Sequence, residues 1–178
     1  MRRPALADQP PSYGPVGGTL APTLLDSPPE GYRSTESSVR IGSGAERFAA
    51  ASADLMRWQV LLRSGITVTD AAGAAARPVT LGDTVVQSLP LAGLRFKAPI
   101  RVVLVMHDPR RVGYAAGTLP GHPLRGEELF LIEHRADDSV WLVIRAFARP
   151  ATPLYRVGSP VIGFARRRYT ARFLRALL

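Results

Sequence analysis

The chain has 178 residues, which is long enough for one domain with a single core and room for an internal cavity. It contains no cysteine, and this excludes disulfides, thiolate nucleophiles and Cys-ligated zinc. The apolar content of 46% is ordinary, no run approaches the ~18 apolar residues of a membrane span, and the start "MRRPALADQPP" lacks the apolar core of a signal peptide. We therefore expect a soluble, cytoplasmic protein without a membrane span.

The net charge of +9 is concentrated at one end of the chain. Residues 139–178 contain eight arginines and no acidic residue, so they carry +8, and the rest of the chain carries +1. A run of charge is usually a solvated face. The segment lacks the interleaved aromatic residues of single-strand binders and any DNA-binding motif, so an anionic or nucleic-acid partner for an arginine-rich helix is kept only as an alternative.

Proline and glycine set the start of the chain apart from the remainder. Residues 1–31 contain seven of the 16 prolines, a composition that sustains neither a helix nor a central strand. We predict an extended or partly ordered arm over residues 1–31, followed by a single α+β domain over residues 32–178.

The domain is predicted to open with a short strand, "SVRI", and a helix. Ser43 and Glu46 form a Ser-x-x-Glu capping box, apolar residues recur at helical spacing to about Arg63, and Gly65 ends the helix. Six strand-like runs follow with no helical stretch between them, which favours an antiparallel meander. These runs are "GITVTD", "DTVVQSL", "IRVVLVMHD", "RVGYAAGTL", "EELFLIEHR" and "VWLVIRAFA".

From Pro160 the periodicity returns to helical, and one apolar side of a long helix is predicted. That side comprises Ile162, Ala165, Tyr169, Phe173, Ala176 and Leu177, whereas Arg167, Arg168, Arg172 and Arg175 lie on the other side. The order of elements predicts an α+β fold in which a curved antiparallel sheet packs on the C-terminal helix. This is the helix-grip arrangement of START-like and Bet v 1-like proteins, and it leaves room for a cavity between sheet and helix.

The loop "GTLPGHPLRGEELF", residues 117–130, is built to hold one shape, because its prolines fix φ and its glycines permit positive φ. His122 lies in the tight turn of this loop, where it would either hydrogen-bond the turn or act as an acid or base with Glu127 or Glu128. No nucleophile with matching spacing is present. The spacing of His107, His122 and His134 does not indicate a metal site, and the sequence predicts neither a metal nor a cofactor.

The last two strands are predicted to form a hairpin that turns at Asp137 and Asp138. In that register Phe130 faces Arg145, and Glu128 lies diagonally across from Arg145 within reach of a salt bridge. The face with aromatic and charged residues would line a cavity, and the aliphatic face would pack in the core.

Three blocks of the sequence resemble the bacterial and plant family known as domain of unknown function 1990. They are "YAAGTLPGHPLRGEELF", "DDSVWLVIRAFARPA" and "SPVIGFARRRYTARFLRAL", and "SYGPVGGT" and "RIGSGAERFAAASADLMRW" are similar to the family's N-terminal blocks. The likeness runs from about Tyr13 to Leu177. The chain departs from the family at Ala116, where a tyrosine is usual, and at Arg166, where a glutamine is usual. Any role of that tyrosine ring is therefore absent here or is taken by Tyr114.

The leading functional hypothesis is a protein that binds a small, largely apolar ligand between the sheet and the C-terminal helix. A hydrolase- or isomerase-like enzyme that uses His122 with Glu127 or Glu128 is the alternative, so whether the protein is an enzyme stays open, as do its oligomeric state and the identity of its ligand. The predicted ligand contacts are Tyr114, Thr118, His122, Glu128, Phe130, Trp141, Arg145, Phe147, Arg166 and Tyr169.

Overall fold

A seven-stranded antiparallel sheet dominates the computed structural model, which describes residues 5–91, 93–153 and 159–178, with the backbone alone for residues 91 and 159–162. The strands are β1 (Arg33–Ser43), β2 (Thr67–Asp70), β3 (Thr84–Leu91), β4 (Leu94–Asp108), β5 (Arg111–Thr118), β6 (Leu124–His134) and β7 (Ser139–Pro150). Their order in the sheet is β1-β7-β6-β5-β4-β3-β2. The predicted meander is therefore confirmed from β2 to β7, and β1 pairs antiparallel with β7 at its end.

In the described parts of the chain, three α-helices cover one face of the sheet, which we call the inner face: α1 (Ala45–Leu55), α2 (Gln59–Arg63) and α3 (Ser159–Phe173). The main core lies between this face and the helices, where Leu55, Tyr114, Phe130, Leu142 and Phe173 are all buried. Alternation along each strand brings these side chains to a common face. The predicted α+β fold with a C-terminal helix on a curved antiparallel sheet is confirmed, although the side chain of Ile162, predicted on the apolar side, lies outside the described residues.

The single helix predicted up to Arg63 is wrong, because the structure has two helices in its place. The break is at Trp58, whose φ of 64° is left-handed and cannot continue an α-helix. The indole is 2% exposed and donates a hydrogen bond to the Arg77 carbonyl at 2.7 Å, so tertiary packing holds this residue in place. The start also differs from the prediction: Gly44 precedes α1, and no side chain caps it.

The β6–β7 hairpin differs from the predicted register by one residue. Phe130 faces Ile144 and not Arg145. Asp138 has a φ of 65°, and the Arg135 amide donates to the Ser139 carbonyl at 2.8 Å, so the turn has three residues and not two. A shift of one residue moves a whole strand to the opposite face, which places Arg145, Trp141 and Phe147 away from Glu128.

The N-terminal arm, residues 5–32 of the described chain, packs against the other face of the sheet, which we call the outer face. Thr19 and Leu24 are 0% and 1% exposed. Arg101 donates to the Leu6 and Ala7 carbonyls at 3.1 and 2.8 Å, and the Phe147 ring contacts Tyr13 and Tyr32 with centroids 5.7 and 5.3 Å away. Contacts with the sheet are thus spread from Leu6 to Tyr32, although many side chains of the arm are exposed. Residues 1–4 of the predicted arm lie outside the described residues.

Candidate functional site

A cavity of about 330 Å³ lies between the inner face of strands β3–β7 and helix α3. Its walls are mainly apolar, and the polar residues that border it are, among the described residues, Gln87, Thr118, His122, Glu128, Arg166 and Thr170, together with Glu127, whose carboxylate is held by the N-terminal arm. The apolar part is formed by residues of β3 and β4, by the middle of β5–β7, and by the inner side of α3: Leu89, Phe96, Ala98, Ile100, Ala116, Phe130, Ala146, Ala165, Tyr169 and Phe173.

The cavity is open where small side chains lie next to Glu128 on the sheet. Glu128 pairs with Ala116 of β5 on one side and with Ala146 of β7 on the other, and Ala146 in turn pairs with Thr35 of β1. Residues directly opposite each other on neighbouring strands share a face, so these four form a row across the inner face. Two methyl groups therefore flank the carboxyl group of Glu128 and leave space above the sheet on both sides.

Glu128 lies in the cavity wall and is half-buried. Among the described residues, none donates a hydrogen bond to its carboxyl group, and none forms an ion pair with it. Burial raises the pKa of Glu128, and the positive charge of Arg166 offsets part of this rise. The side chain is thus a buried acid whose hydrogen-bonding capacity is open to the cavity.

Arg166 reaches the cavity from α3 and spans the gap to β1. Its Nη2 donates to the Thr35 hydroxyl at 3.0 Å. Within the described parts of the chain, no carboxylate lies within 4.0 Å of its guanidinium. The charge of Arg166 still acts on Glu128 through space, at a distance longer than that of a salt bridge. The cavity therefore has a cation and an acid on opposite sides of Ala146, and neither of them forms an ion pair with a residue that the structure describes.

His122 lines the cavity from the loop between β5 and β6, but its ring is engaged by the loop itself. Nδ1 lies 2.9 Å from the Leu124 amide and 3.0 Å from the Leu124 carbonyl, so it accepts from the amide in one tautomer and donates to the carbonyl in the other. Burial lowers the pKa of His122 to about 4 despite the opposing effect of the Leu124 backbone. The imidazole is therefore neutral near pH 7, and the contacts described for it are those of a histidine that holds its turn.

Glu127, the second proposed partner of His122, lies on the outer face and accepts four hydrogen bonds from the N-terminal arm. The donors are the Tyr13 hydroxyl at 2.6 Å, the Gly17 amide at 2.7 Å, the Thr19 amide at 3.0 Å and the Thr19 hydroxyl. Glu127 is 2% exposed. Its carboxylate is saturated with structural contacts, so it fastens the arm to the sheet and is not free for acid–base chemistry with His122.

The rest of the loop motif also receives the arm. The Ser12 amide donates to the Thr118 carbonyl at 2.9 Å, the Ser12 and Thr118 hydroxyls are 2.8 Å apart, and the Gly126 amide donates to the Thr118 hydroxyl at 3.0 Å. Gly117 has no side chain where the Tyr13 ring lies, and a methyl group there would collide with it. The "SYGPVGGT" and "GTLPGHPLRGEE" blocks are therefore two halves of one structural junction.

Seven of the ten predicted ligand contacts border the cavity: Thr118, His122, Glu128, Phe130, Phe147, Arg166 and Tyr169. Phe147 is the exception among them, because its ring packs against the N-terminal arm on the outer face. Tyr114 is on the inner face but behind the wall, stacked on Phe130 with ring centroids 5.5 Å apart. Its buried hydroxyl has no hydrogen-bond partner among the described residues, and burial, with a smaller effect from Glu128, raises its pKa.

The other two predicted contacts, like Phe147, have side chains on the outer face, and the predicted Glu128–Arg145 pair is wrong. Arg145 Nε lies 2.9 Å from Glu36 Oε2, and its Nη2 donates to the Ala21 carbonyl at 3.0 Å. The Arg145 Nε–H does not point at the carboxylate, so the contact with Glu36 is an ion pair and not a hydrogen bond. Trp141 packs beneath the Arg135 guanidinium at 4.2 Å, and Phe147 packs against the arm.

Sequence reasoning missed the contribution of β3 and β4 to the cavity, including Gln87, Leu89, Phe96 and Ala98. The alternation of "VVQSL" was a usable signal for one shared face, but nothing local indicates that α3 crosses that face. The link is made in space, where the Tyr169 hydroxyl donates to the Pro90 carbonyl at 2.6 Å.

Within the described residues, no group of three histidine, aspartate or glutamate side chains is placed to hold a metal ion. None of the described helices combines the length and the apolar character needed to cross a bilayer.

Relatives of known sequence match most of the chain. A UPF0548 protein of Deinococcus radiodurans is 34% identical over 180 residues, which cover 96% of this chain and 87% of the relative. A UPF0548 protein of Arabidopsis thaliana is 30% identical over 159 residues, which cover 84% of this chain and 73% of the relative.

Solved structures share the fold at low sequence identity. A hypothetical protein of Helicobacter pylori has a TM-score of 0.53 at 12% identity, over 88% of this chain and 93% of that one. The major latex-like protein 151 of Panax ginseng has a TM-score of 0.50 at 9% identity, over 83% and 98%. A START superfamily protein of Mycobacterium smegmatis has a TM-score of 0.50 at 11% identity, over 81% and 96%. The predicted START-like, helix-grip fold is thereby confirmed.

The family model described as "Domain of unknown function (DUF1990)" matches residues 12–176, a span that includes most of the arm, the loop junction, the cavity and α3. Together with the two relatives, this match shows that the chain belongs to the DUF1990 family.

Proposed function

We propose that the protein binds a small, largely apolar ligand in the cavity between the sheet and α3. The observation that carries the proposal is the cavity itself, with about 330 Å³ of space behind mainly apolar walls. Protein interiors are normally packed as densely as organic crystals, and small-molecule sites are typically apolar clefts of this order of size with a few placed polar groups.

The identity of the lining residues supports the proposal. Ala98, Ala116, Ala146 and Ala165 contact the cavity from three different strands and from α3. A larger apolar side chain at any of these positions would fill the space and add buried surface. The polar groups Glu128 and Arg166 are within this apolar setting, where they can orient a ligand by its polar end.

Ligand binding is tested with protein purified from cells and with a neutral apolar dye. Native mass spectrometry of the purified protein should show a mass above that of the bare chain, and Nile red should gain fluorescence on binding to protein stripped of that ligand. A uniformly bare mass together with no dye binding would contradict the proposal.

A pair of variants on α3 ties the dye to the cavity. Ala165 lines the cavity, whereas Ala171 is exposed on the same helix. We expect Ala165→Trp to abolish Nile red binding by filling the space and Ala171→Trp to leave it unchanged. Equal loss or equal retention in the two variants would place the dye elsewhere on the protein and refute the assignment of the site.

Among the described residues, no contact of His122 favours the enzyme hypothesis, because its Nδ1 is engaged by the Leu124 backbone and the Glu127 carboxylate is held by the arm on the other face. The arginine surface is also smaller than the sequence indicated. On α3 and the residues after it, Arg166 donates to the Thr35 hydroxyl and Arg172 donates to the Ser64 carbonyl at 3.3 Å, whereas Arg167, Arg168 and Arg175 are exposed. Nucleic-acid binding stays an alternative, to be tested by its dependence on salt.

A further inference from the structure

We propose that the ligand of this cavity is an amphipathic carboxylic acid, whose carboxylate binds above Ala146 between Glu128 and Arg166 and shares one proton with Glu128. The inference rests on the proposed function and adds to it the chemical class of the ligand. It is carried by the row Thr35, Ala146, Glu128 and Ala116 across the inner face.

The row determines where a polar group fits. Arg166 is hydrogen-bonded to Thr35 on β1, and Glu128 lies two strands away on β6, so the two residues are on either side of β7. Neighbouring strands are about 4.8 Å apart, which separates the two positions by about 10 Å at the backbone. At the strand between them the side chain is the methyl group of Ala146, so the space above it is free for the polar end of a ligand.

The cation favours an anion in this space. Arg166 is half-buried, and its guanidinium has the Thr35 hydroxyl as a hydrogen-bond acceptor but no carboxylate within 4.0 Å in the described parts of the chain. A carboxylate matches the paired N–H groups of a guanidinium better than a hydroxyl or an amide does. An ammonium group would place a second positive charge beside Arg166 in a poorly hydrated site.

Glu128 can bind the carboxylate of the ligand by sharing a proton with it. Two carboxyl groups close together in an apolar site hold one proton between them, because two negative charges there repel each other. Burial already raises the pKa of Glu128. The pair then carries one negative charge, which Arg166 balances, and no unpaired charge is left in the cavity.

The proton balance follows from the groups that face Glu128. Arg166 from α3 is positively charged, whereas Tyr114 from β5, Tyr169 from α3 and His122 from the loop are neutral near pH 7. The shared proton therefore comes from solvent or is already on Glu128. When pH rises and Glu128 ionises in the free protein, each ligand bound must take up one proton, so affinity for a carboxylate should fall by up to about tenfold per pH unit.

The test uses three ligands with the same apolar chain and different polar ends: octanoate, octanol and octylamine. The affinity of each ligand is measured by its displacement of Nile red from protein stripped of its own ligand. We expect octanoate to bind at least tenfold more tightly than octylamine and more tightly than octanol. Equal or tighter binding of the amine or the alcohol would overturn the proposal, whereas the proposed function would stand as long as Nile red binding is blocked by Ala165→Trp.

Variants assign the two roles separately. Arg166→Gln should weaken octanoate binding at least tenfold and leave octanol unchanged, Arg166→Lys should restore part of the loss, and Arg167→Gln, at the exposed neighbour, should change neither. Glu128→Gln should still bind octanoate, because its amide N–H donates as the protonated acid does, but binding should no longer weaken as pH rises. The same pH dependence in Glu128→Gln as in the unaltered protein, or an unchanged octanoate affinity in Arg166→Gln, would refute the shared proton or the cation's role.

Discussion

Glu127 and Glu128 are neighbours on β6, and the two faces of the sheet give them opposite environments. Glu127 on the outer face accepts four hydrogen bonds from the arm, and Glu128 on the inner face accepts none from the described residues. Both carboxyl groups are withdrawn from bulk water. The comparison teaches that a buried acid indicates a ligand site only when its hydrogen bonds are unfilled, and that a saturated one indicates a structural junction.

The largest expected effect is a difference in stability between variants of these two glutamates. Glu127→Gln should lower the free energy of unfolding by about 3 kcal/mol. The new amide group places an N–H donor where a carboxylate oxygen accepts hydrogen bonds from buried donors of the arm. Glu128→Gln is the matched control and should change it by no more than about 1 kcal/mol, since no partner is lost. Urea denaturation of both variants measures the difference, and equal losses would contradict the division of roles between the two faces.

A second prediction concerns His122 on the inner side and its response to acid. Its pKa is lowered from 6.5 to about 4 in the folded protein, so the unfolded chain takes up a proton that the folded state refuses. The stability that neutral His122 contributes is therefore complete above about pH 6.5 and is lost as pH falls toward about 4, by on the order of 2 kcal/mol.

The control for this prediction is His122→Asn, whose side-chain oxygen can still accept the Leu124 amide but does not titrate. Urea melts of both proteins between these pH values should show the variant losing less stability on acidification. Glu128 acts in the opposite sense, since its raised pKa makes it stabilising at low pH, and it is present in both proteins. If the two proteins lose stability in parallel, His122 does not have the buried, neutral state described.

The smallest expected effect is the coupling energy between Arg145 and Glu36, which tests whether Arg145 lies on the outer face. The Glu36 carboxylate with which it pairs is 39% exposed, so a double-mutant cycle of Glu36→Gln and Arg145→Met should give a coupling energy under about 1 kcal/mol. The same cycle with Glu128→Gln in place of Glu36→Gln should give a coupling near zero. Appreciable coupling between Glu128 and Arg145 would mean that the hairpin register has Arg145 on the inner face after all.

Much of the fold could be predicted because its signals are local. Alternating apolar residues in runs such as "RVGYAAGTL" predict strands, the absence of helical stretches between them predicts a meander, and the return of helical spacing after Pro160 predicts α3. These patterns depend on neighbours within one turn or one pleat, so they can be recognised without knowing which element packs against the segment. Glu128 and Arg166 were predicted on other grounds: Glu128 from a hairpin register that is wrong by one residue, and Arg166 from its place where the family usually has a glutamine.

What the sequence did not reveal depends on contacts between distant segments and on single backbone conformations. The left-handed conformation of Asp138 lengthened a turn by one residue and thereby moved Arg145, Trp141 and Phe147 to the outer face. Packing of the Trp58 indole broke a helix whose periodicity was continuous. Both events are decided by which arrangement buries and hydrogen-bonds the most groups in the complete molecule, and local propensity differs too little between the alternatives to choose.

The role of Glu127 was out of reach for the same reason, because its partner Tyr13 is 114 residues away along the chain. The amino-acid pattern fixes that two acids lie on opposite faces of one strand, since side chains alternate along β structure. Which acid meets the arm and which meets the cavity follows only when the arm, the sheet and α3 are assembled, because the environment of a carboxyl group is set by what packs against it in space.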